Sequence, residues 1–327
     1  MQTKSGEWWD YSWNVAPGCT KVSPECDNCW ALAMAKRLQG MNKPGYEELV
    51  DGIGRWYGNV NLLKEKIGDP LNLKRPRVIA VNLMGDLFHP GVPFDFIEKI
   101  FLAMMQADWH QYMVLTKRPE RLYKFIRSDG WMNRNARKIT KNIYLGTTAG
   151  TQERADVSWS SMAWLAQQGW NTWVSSEPRL SAINWNGWSF LKLMVTGGES
   201  GPRARPMYPA WPRADRDWCQ ENGVPFWFKQ WGEWAPAKAL PEYSVTNAVK
   251  LLDGIPMTHE NGEFVFRIGR KKAGRDLDGR TWEETSLPSP YFGGEKTKEG
   301  FDDQGRCPHG YGLFEYCPEE GCIRHRR

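Results

Sequence analysis

The chain has 327 residues, of which 41% are hydrophobic and 25% charged, and its formal net charge is +5. This composition is ordinary for a folded protein with a sizeable core, and the mildly basic charge permits a phosphate-bearing partner without requiring one. Since residues 1–10 lack an apolar core and no run of about 18 apolar residues occurs, the sequence argues against a secretory signal and a membrane span, and we expect a cytoplasmic protein.

Short apolar, β-branched runs recur along the chain and predict strands. From residue 78 onwards the runs begin roughly every 30 residues, which is the length that a strand–helix–strand crossover needs. The runs are continuous rather than alternating, as is typical of parallel strands that are buried on both faces. The predicted strands are 12–15, 78–84, 112–116, 143–147, 172–176, 193–196 and 225–229, of which the first is the weakest.

Helix-like segments lie between these runs, at residues 29–38, 94–109, 119–128, 155–168 and 211–222. Pro93 suits the start of the second helix, and Asn222-Gly223 suits the end of the last. The alternation predicts an α/β fold, namely a full or partial (βα) barrel, with an open doubly wound sheet as the alternative. In either architecture the loops that follow the strands carry the chemistry.

The composition changes after Trp234, and this divides the chain into three predicted parts. Residues 1–235 form the barrel, residues 236–305 form a small extension with a linker, and residues 306–327 form a cysteine-rich tail. Within the extension, residues 264–268 predict a strand of a small hairpin. Residues 286–305 are rich in Pro, Gly and charged side chains and predict a linker.

Three of the seven cysteines lie together near the start of the chain, in GCTKVSPECDNCWA. Seven cysteines in a reducing compartment indicate metal binding rather than a disulfide framework. Cys19, Cys26 and Cys29 have no histidine nearby, and three thiolates suit an iron–sulfur cluster better than a catalytic zinc. A structural zinc and unliganded thiols remain the alternatives. A 4Fe–4S cluster on three cysteines leaves one iron open to chelate S-adenosylmethionine.

A second group of potential metal ligands lies in the tail, in CPHGYGLFEYCPEEGC. Cys307, His309, Cys317 and Cys322 predict a second metal site, either zinc or an auxiliary cluster, with His325 as an alternative ligand. The tail has few apolar residues, so a bound metal would help it to fold. A disordered tail with free thiols is the alternative.

The sequence resembles the phage three-cysteine-motif protein family, which is related to radical S-adenosylmethionine proteins. The matching segments are SWNVAPGCTKVSPECDNCWA, MGDLFHP, VLTKRPERL, LGTTAG, VSSEPRL, TGGESGPRARPM, GVPFWFKQWGEW and LDGRTWEE. The resemblance implies a barrel of the radical S-adenosylmethionine type, a 4Fe–4S cluster and S-adenosylmethionine, but no particular substrate. The commonest cysteine spacing in that superfamily is C-x3-C-x2-C with an aromatic residue before the last cysteine, whereas here the first gap is longer and Asn28 occupies that position.

Four polar residues at strand ends are predicted to bind the cofactor. Asp86 occupies the place of the acidic motif that binds the cofactor's amino group in radical S-adenosylmethionine barrels, with a helix cap or turn as the alternative. Lys117 and Arg203 are candidates for a carboxylate or a phosphate, although a solvated ion pair would also explain Lys117. Thr147 is a candidate for the ribose hydroxyls.

Three charged residues that follow strands are predicted to be catalytic. Glu177 follows the strand at 172–176, Glu199 follows the strand at 193–196 within TGGESG, and Lys229 ends the strand at 225–229. Because the ends of parallel strands meet at one edge of a sheet, these side chains are expected to converge.

These features together predict a radical S-adenosylmethionine enzyme that cleaves its cofactor and abstracts hydrogen from a small-molecule or nucleic-acid substrate. The phage resemblance and the basic charge favour a nucleobase or nucleotide in DNA modification within the host cytoplasm. The expected partners are a flavodoxin-like or ferredoxin-like electron donor and DNA-modification proteins. One alternative is a zinc-stabilised nucleic-acid-binding phage protein without catalysis, which rests on the 19 Trp residues, the charge and the tail. A phage structural component is the third hypothesis.

Overall fold

Seven parallel strands form the central sheet in a computed structural model, which describes residues 7–128, 131, 139–236, 257–258 and 262–287. The strands are β1 Tyr11–Trp13, β2 Val78–Val81, β3 Gln111–Thr116, β4 Ile143–Thr148, β5 Asn171–Ser176, β6 Leu193–Gly197 and β7 Phe226–Gln230. They lie side by side in chain order, whereas a doubly wound sheet reverses its order midway. The sheet curls into an open half-barrel. The predicted α/β partial barrel is therefore confirmed, and the doubly wound alternative is wrong.

Helices follow most of the strands and cover the outer face of the sheet. They are α1 Trp30–Gly40, α2 Phe94–Gln106, α3 Pro119–Ile126, α4 Gln152–Gln167 and α5 Ala210–Asn222. Thr151 caps α4 by accepting a hydrogen bond from the Arg154 amide. Gly223, with φ of 64°, ends α5 in the left-handed conformation. Among the described helices, none combines the length and apolarity needed to cross a bilayer.

Strand β2 ends at Val81, three residues earlier than predicted, because Asn82 turns the chain. Asn82 has φ of 60°, which removes it from the extended conformation. Its buried side chain accepts hydrogen bonds from the amides of Val15 (3.2 Å) and Ala16 (2.8 Å) and donates to the carbonyl of Ala16 (2.9 Å). The turn thus ties the end of β2 to the segment that follows β1.

The interior of the half-barrel is filled by a compact aromatic cluster. Successive strand residues face opposite sides of a sheet, so alternate positions of each strand point inwards. The inward cluster contains Trp8, Val78, Ala80, Met113, Tyr144, Trp173, Leu193, Val195, Trp227 and Leu287. Gly146 permits the close approach of Trp173, since a Cβ there would lie 2.3 Å from the indole ring. The tryptophans of this cluster are therefore core residues.

The residues after β7 pack back onto the barrel. Strands β8 Trp234–Pro236, β9 Met257–Thr258 and β10 Phe264–Arg267 form an antiparallel sheet in the order β8-β10-β9, which confirms the predicted hairpin strand. Helix α6 Arg270–Ala273 and the hairpin β11 Asp276–Leu277 with β12 Arg280–Thr281 follow. The predicted boundaries of the three parts of the chain stay predictions. Cys307, His309, Cys317, Cys322 and His325 lie outside the described residues.

An ion cluster around Asp278 anchors this extension to α5. Asp278 accepts hydrogen bonds from Arg213 (2.8 Å from Nη2) and Arg216 (2.7 Å from Nη1), and these bonds, chiefly those from Arg213, lower the pKa of the Asp278 carboxyl. A carboxyl group whose pKa is lower in the folded state stabilises the fold above its unfolded pKa, near 3.8, and loses that contribution as the pH falls through the folded pKa.

We expect Asp278→Asn to lower the free energy of unfolding at pH 7, because the two arginines lose a charged acceptor. The difference from the wild-type protein should shrink as the pH falls below about 3.8. Urea unfolding of both proteins between pH 7 and pH 3 measures this. A difference that is constant over the whole pH range would show that Asp278 does not act through its charge.

Candidate functional site

One cavity opens at the carboxyl-terminal edge of the sheet, and Cys19, Cys26 and Cys29 all line it. The first two belong to the loop that follows β1, and Cys29 is the N-cap residue of α1. Lys117 after β3 and Thr148 at the end of β4 also line the cavity. All three cysteines are half-buried free thiols. The structure thus brings the predicted cysteine ligands together at the edge where a βα barrel carries its chemistry.

The cysteine loop is held by close backbone packing. Gly18 has φ of 111°, and a Cβ there would lie 2.2 Å from the carbonyl oxygen of Asn59. Its amide donates to the carbonyl of Met84 (3.1 Å), which places the loop beside the end of β2. The amide of Cys26 donates to the carbonyl of Ser23 (3.0 Å) and so closes a tight turn at Pro24. Glycine at position 18 is required by both its conformation and the space available.

Asp86 lines the cavity, but its carboxylate is already saturated by protein donors. Oδ1 accepts from the Phe88 amide (2.9 Å) and the Thr116 hydroxyl (2.7 Å). Oδ2 accepts from the Lys117 amide (3.1 Å) and Arg118 Nη1 (2.8 Å). Four hydrogen bonds fill the acceptor capacity of a carboxylate. This geometry favours the turn-forming role for Asp86, and its binding of a cofactor amino group stays a prediction.

Arg118 links Asp86 to the cysteine loop. Its Nη2 donates to the carbonyl (3.0 Å) and hydroxyl (2.8 Å) oxygens of Thr20, and its Nη1 lies 3.8 Å from the sulfur of Cys19. Burial, and next the negative charge of Asp86, raise the pKa of Cys19 to about 11 even though Arg118 opposes both effects. A bound metal requires the thiolate, so the guanidinium is placed where it offsets that negative charge.

An ion pair between the buried Glu199 and the half-buried Arg205 holds the loop from the side of β6. Glu199 accepts from Arg205 Nη2 at Oε1 (2.6 Å) and from Asn28 Nδ2 at Oε2 (3.0 Å). Arg205 Nη2 also donates to the carbonyl of Pro24 (2.9 Å). The Glu199 side chain is 3% exposed. Glu199 therefore fastens the cysteine loop to the end of β6, and a direct catalytic contact by Glu199 stays a prediction.

Glu177 and Lys229, the other two predicted catalytic residues, meet on the inner face of the half-barrel. Lys229 Nζ lies 3.1 Å from Glu177 Oε1, and the Ser175 hydroxyl donates to Glu177 Oε2 (3.1 Å). Lys229 Nζ also lies 5.2 Å from the ring centroid of Trp9, within the range of a cation–π contact. The pair is partly buried and does not line the cysteine cavity, so any contact with a substrate would occur on the inner face outside that cavity.

The remaining predicted residues lie in three different places. Thr147 faces α4, where its hydroxyl lies 3.4 Å from that of Ser158, while Thr148 lines the cavity because neighbouring strand residues point to opposite faces. Lys117 lines the cavity and donates from Nζ to the Thr148 hydroxyl (3.3 Å). The exposed side chain of Arg203 lies in a neighbouring groove. Cofactor binding by Thr147 and Arg203 stays a prediction that this placement does not favour.

Sequence reasoning missed Glu25 and gave His89 no role in positioning the loop. Glu25, which precedes Cys26, is buried and accepts a hydrogen bond from the Gly150 amide (3.0 Å). His89 contacts the Thr20 hydroxyl (3.0 Å), and burial lowers its pKa. Gly150, His89 and the cysteines lie in three separate sequence motifs. Only the presence of all three motifs in one chain could have indicated that these residues lie close together.

The donor set fits an iron–sulfur cluster. Within the described parts of the chain, no group of three or more His, Cys, Asp or Glu side chains is arranged around a single metal ion. Cys19, Cys26 and Cys29 nevertheless share one cavity, and ligands to different irons of a cluster need not converge on one point. The neighbouring cation Arg118 suits a site that carries three thiolates.

Comparisons with known proteins give a family and a distant structural likeness. A family model described as protein of unknown function (DUF5131) matches residues 3–286. No curated protein matches the sequence. A mutant of spore photoproduct lyase is 9% identical with a TM-score of 0.40, covering 84% of this chain and 72% of that chain.

The same enzyme complexed with dinucleoside spore photoproduct is 9% identical with a TM-score of 0.39, covering 83% of this chain and 74% of that chain. A likeness at this identity and TM-score carries no argument about the activity of this chain.

Proposed function

The chain belongs to the family of proteins of unknown function DUF5131, and we propose from its own site that it is a radical S-adenosylmethionine enzyme. One observation carries the proposal: three thiols, Cys19, Cys26 and Cys29, line a single cavity at the carboxyl-terminal edge of an open parallel half-barrel. These residues would hold a 4Fe–4S cluster. The resemblance to the phage three-cysteine-motif family is consistent with this proposal and stays an interpretation.

A 4Fe–4S cluster held by these three cysteines and reduced by an electron donor would supply one-electron cleavage of S-adenosylmethionine into methionine and a radical able to take hydrogen from a substrate. The chain's own residues provide the setting. Arg118 offsets the negative charge of the thiolates, and its bonds to Asp86 and Thr20 keep the loop in position. Glu199 and Arg205 hold the other side of the same loop.

The cavity wall also provides groups for the cofactor and the substrate. Lys117 supplies a cation for the carboxylate of S-adenosylmethionine, and Thr148 supplies a hydroxyl beside it. Glu177, directly after β5, and Lys229, on β7, lie on the inner face outside this cavity and are assigned to the substrate. A nucleobase or nucleotide substrate and a flavodoxin-like or ferredoxin-like electron donor stay part of the proposal.

Anaerobic purification and incubation with dithionite and S-adenosylmethionine test this function. We expect a brown protein that contains iron and sulfide, a visible absorbance that dithionite bleaches, and 5′-deoxyadenosine detected by mass spectrometry. Deuterium transfer from candidate substrates into 5′-deoxyadenosine would then identify the substrate. A colourless protein with stoichiometric zinc and no 5′-deoxyadenosine would overturn the proposal and favour the zinc-stabilised binding protein.

A further inference from the structure

A groove runs beside the cysteine cavity, between α1 and the loop at residues 200–203. Cys29 and Trp30 line both the groove and the cavity, so the two spaces adjoin at these residues. The site described above uses the cavity but leaves the groove without a role. Whatever lies in the groove would therefore reach the mouth of the cysteine site.

Exposed apolar side chains form one part of the groove. Trp30 is 53% exposed and Met34 is 39% exposed, and they lie four residues apart on the same face of α1. Ile53, which also lines the groove, is 73% exposed. A half-exposed indole beside an open space provides a flat surface on which a planar ring can stack.

Three positively charged side chains also line the groove. Lys36, Arg37 and Arg203 are exposed, and none of them makes a hydrogen bond or an ion pair with another described residue through its side chain. Among the described groove residues Asp27 is the one acid, and its carboxylate pairs with Lys21 and Arg205. Among the described residues, no acidic side chain pairs with these three cations, so the described lining of the groove is positively charged.

We propose that this groove binds a single-stranded polynucleotide, with a base stacked on Trp30 and phosphates on Lys36, Arg37 and Arg203. A base that stacks on an exposed aromatic ring must be unpaired, which the bases of an intact duplex are not, and this favours a single strand over a duplex as the ligand. The shared lining at Cys29 places such a base beside the cavity. A single-stranded polynucleotide would be the substrate class of the proposed radical enzyme. Binding in the groove does not depend on the proposed function, whereas a reaction on the bound strand does.

The test is fluorescence anisotropy with a labelled thymidine oligonucleotide of roughly 12 nucleotides, without S-adenosylmethionine or reductant. We expect Trp30→Ala to weaken binding at least about fivefold, because one stacked base is lost. The triple variant Lys36→Gln, Arg37→Gln, Arg203→Gln should reduce the slope of log affinity against log salt by about 2, since three phosphate contacts disappear. A uridine oligonucleotide in parallel shows whether DNA or RNA is preferred.

Matched control variants lie elsewhere on the surface. Trp159 on α4 is 44% exposed, and Lys64, Lys124 and Lys192 are exposed cations outside the groove. Trp159→Ala and the triple variant Lys64→Gln, Lys124→Gln, Lys192→Gln should bind the oligonucleotide as the wild-type protein does. Equal losses in the groove and control variants would overturn the proposal.

Two further outcomes would also overturn the polynucleotide site. One is a wild-type protein that does not bind the oligonucleotide. The other is binding of reduced flavodoxin that the groove variants abolish, which would assign the groove to an electron donor. The binding assay omits the cofactor, so it is independent of the test for cofactor cleavage. Oligonucleotide binding without 5′-deoxyadenosine formation would contradict the proposed function alone. Formation of 5′-deoxyadenosine by a protein that does not bind the oligonucleotide would contradict the groove proposal alone.

Discussion

Cys26→Ala is expected to lose both iron and cofactor cleavage. The proposed 4Fe–4S cluster is held by the three thiols that line the cavity, and the substitution leaves two of them. Two cysteine ligands are too few to keep such a cluster bound. Iron content after anaerobic reconstitution should fall to background, and 5′-deoxyadenosine should become undetectable. Cys19→Ala and Cys29→Ala should behave in the same way, because all three thiols line the same cavity.

Cys219→Ala is the matched control for this experiment. Cys219 is a buried free thiol on α5 whose sulfur contacts that of Met194 (3.5 Å), and it belongs to the hydrophobic core. Burial raises its pKa, so it is an inert packing group rather than a metal ligand. Its alanine variant should keep the iron and the cleavage activity. Retention of iron by Cys26→Ala, or an equal loss in Cys219→Ala, would show that the cluster lies elsewhere.

The largest effect on stability is expected from Arg179→Met. Arg179 and Asp215 are both fully buried, with Arg179 Nε 3.0 Å from Oδ2 and Nη2 2.8 Å from Oδ1 of Asp215. Asp215 also accepts from Trp185 Nε1 (2.7 Å) and the Thr196 hydroxyl (2.9 Å). Removing the guanidinium leaves a buried carboxylate without its counter-charge, which costs about 3–5 kcal/mol. Urea unfolding, followed by tryptophan fluorescence, measures this loss.

Arg55→Met is the corresponding surface control. Arg55 pairs with Asp51 four residues away, and its side chain is 74% exposed. Solvent screens such pairs, so the free energy of unfolding should stay close to that of the wild-type protein. If Arg179→Met were no more destabilising than Arg55→Met, the buried pair would not be what joins the end of β5 to α5.

The sequence by itself determined the α/β class, the cysteine loop, and the strands of the central sheet and the five helices α1–α5 to within a few residues. This was possible because a strand buried on both faces requires a continuous apolar run, and a βα unit requires a fixed minimum length. Period-two alternation could also have separated Thr148, which faces the cavity, from Thr147, which faces α4. The thiols were recognisable because their chemistry is local to one loop.

Only the tertiary structure decided what the charged side chains do. The sequence predicts Asp86 and Glu199 as carboxylates that bind cofactor or act in catalysis. In the structure Asp86 forms an ion pair with Arg118 and Glu199 forms one with Arg205, and both arginines hold the cysteine loop. Residues 28 and 199 are far apart in the chain, and no local pattern encodes that Asn28 donates to Glu199. Whether a carboxylate is free to bind a ligand depends on how many hydrogen-bond donors folding places beside it. These donors come from distant parts of the chain, so the linear sequence does not show them.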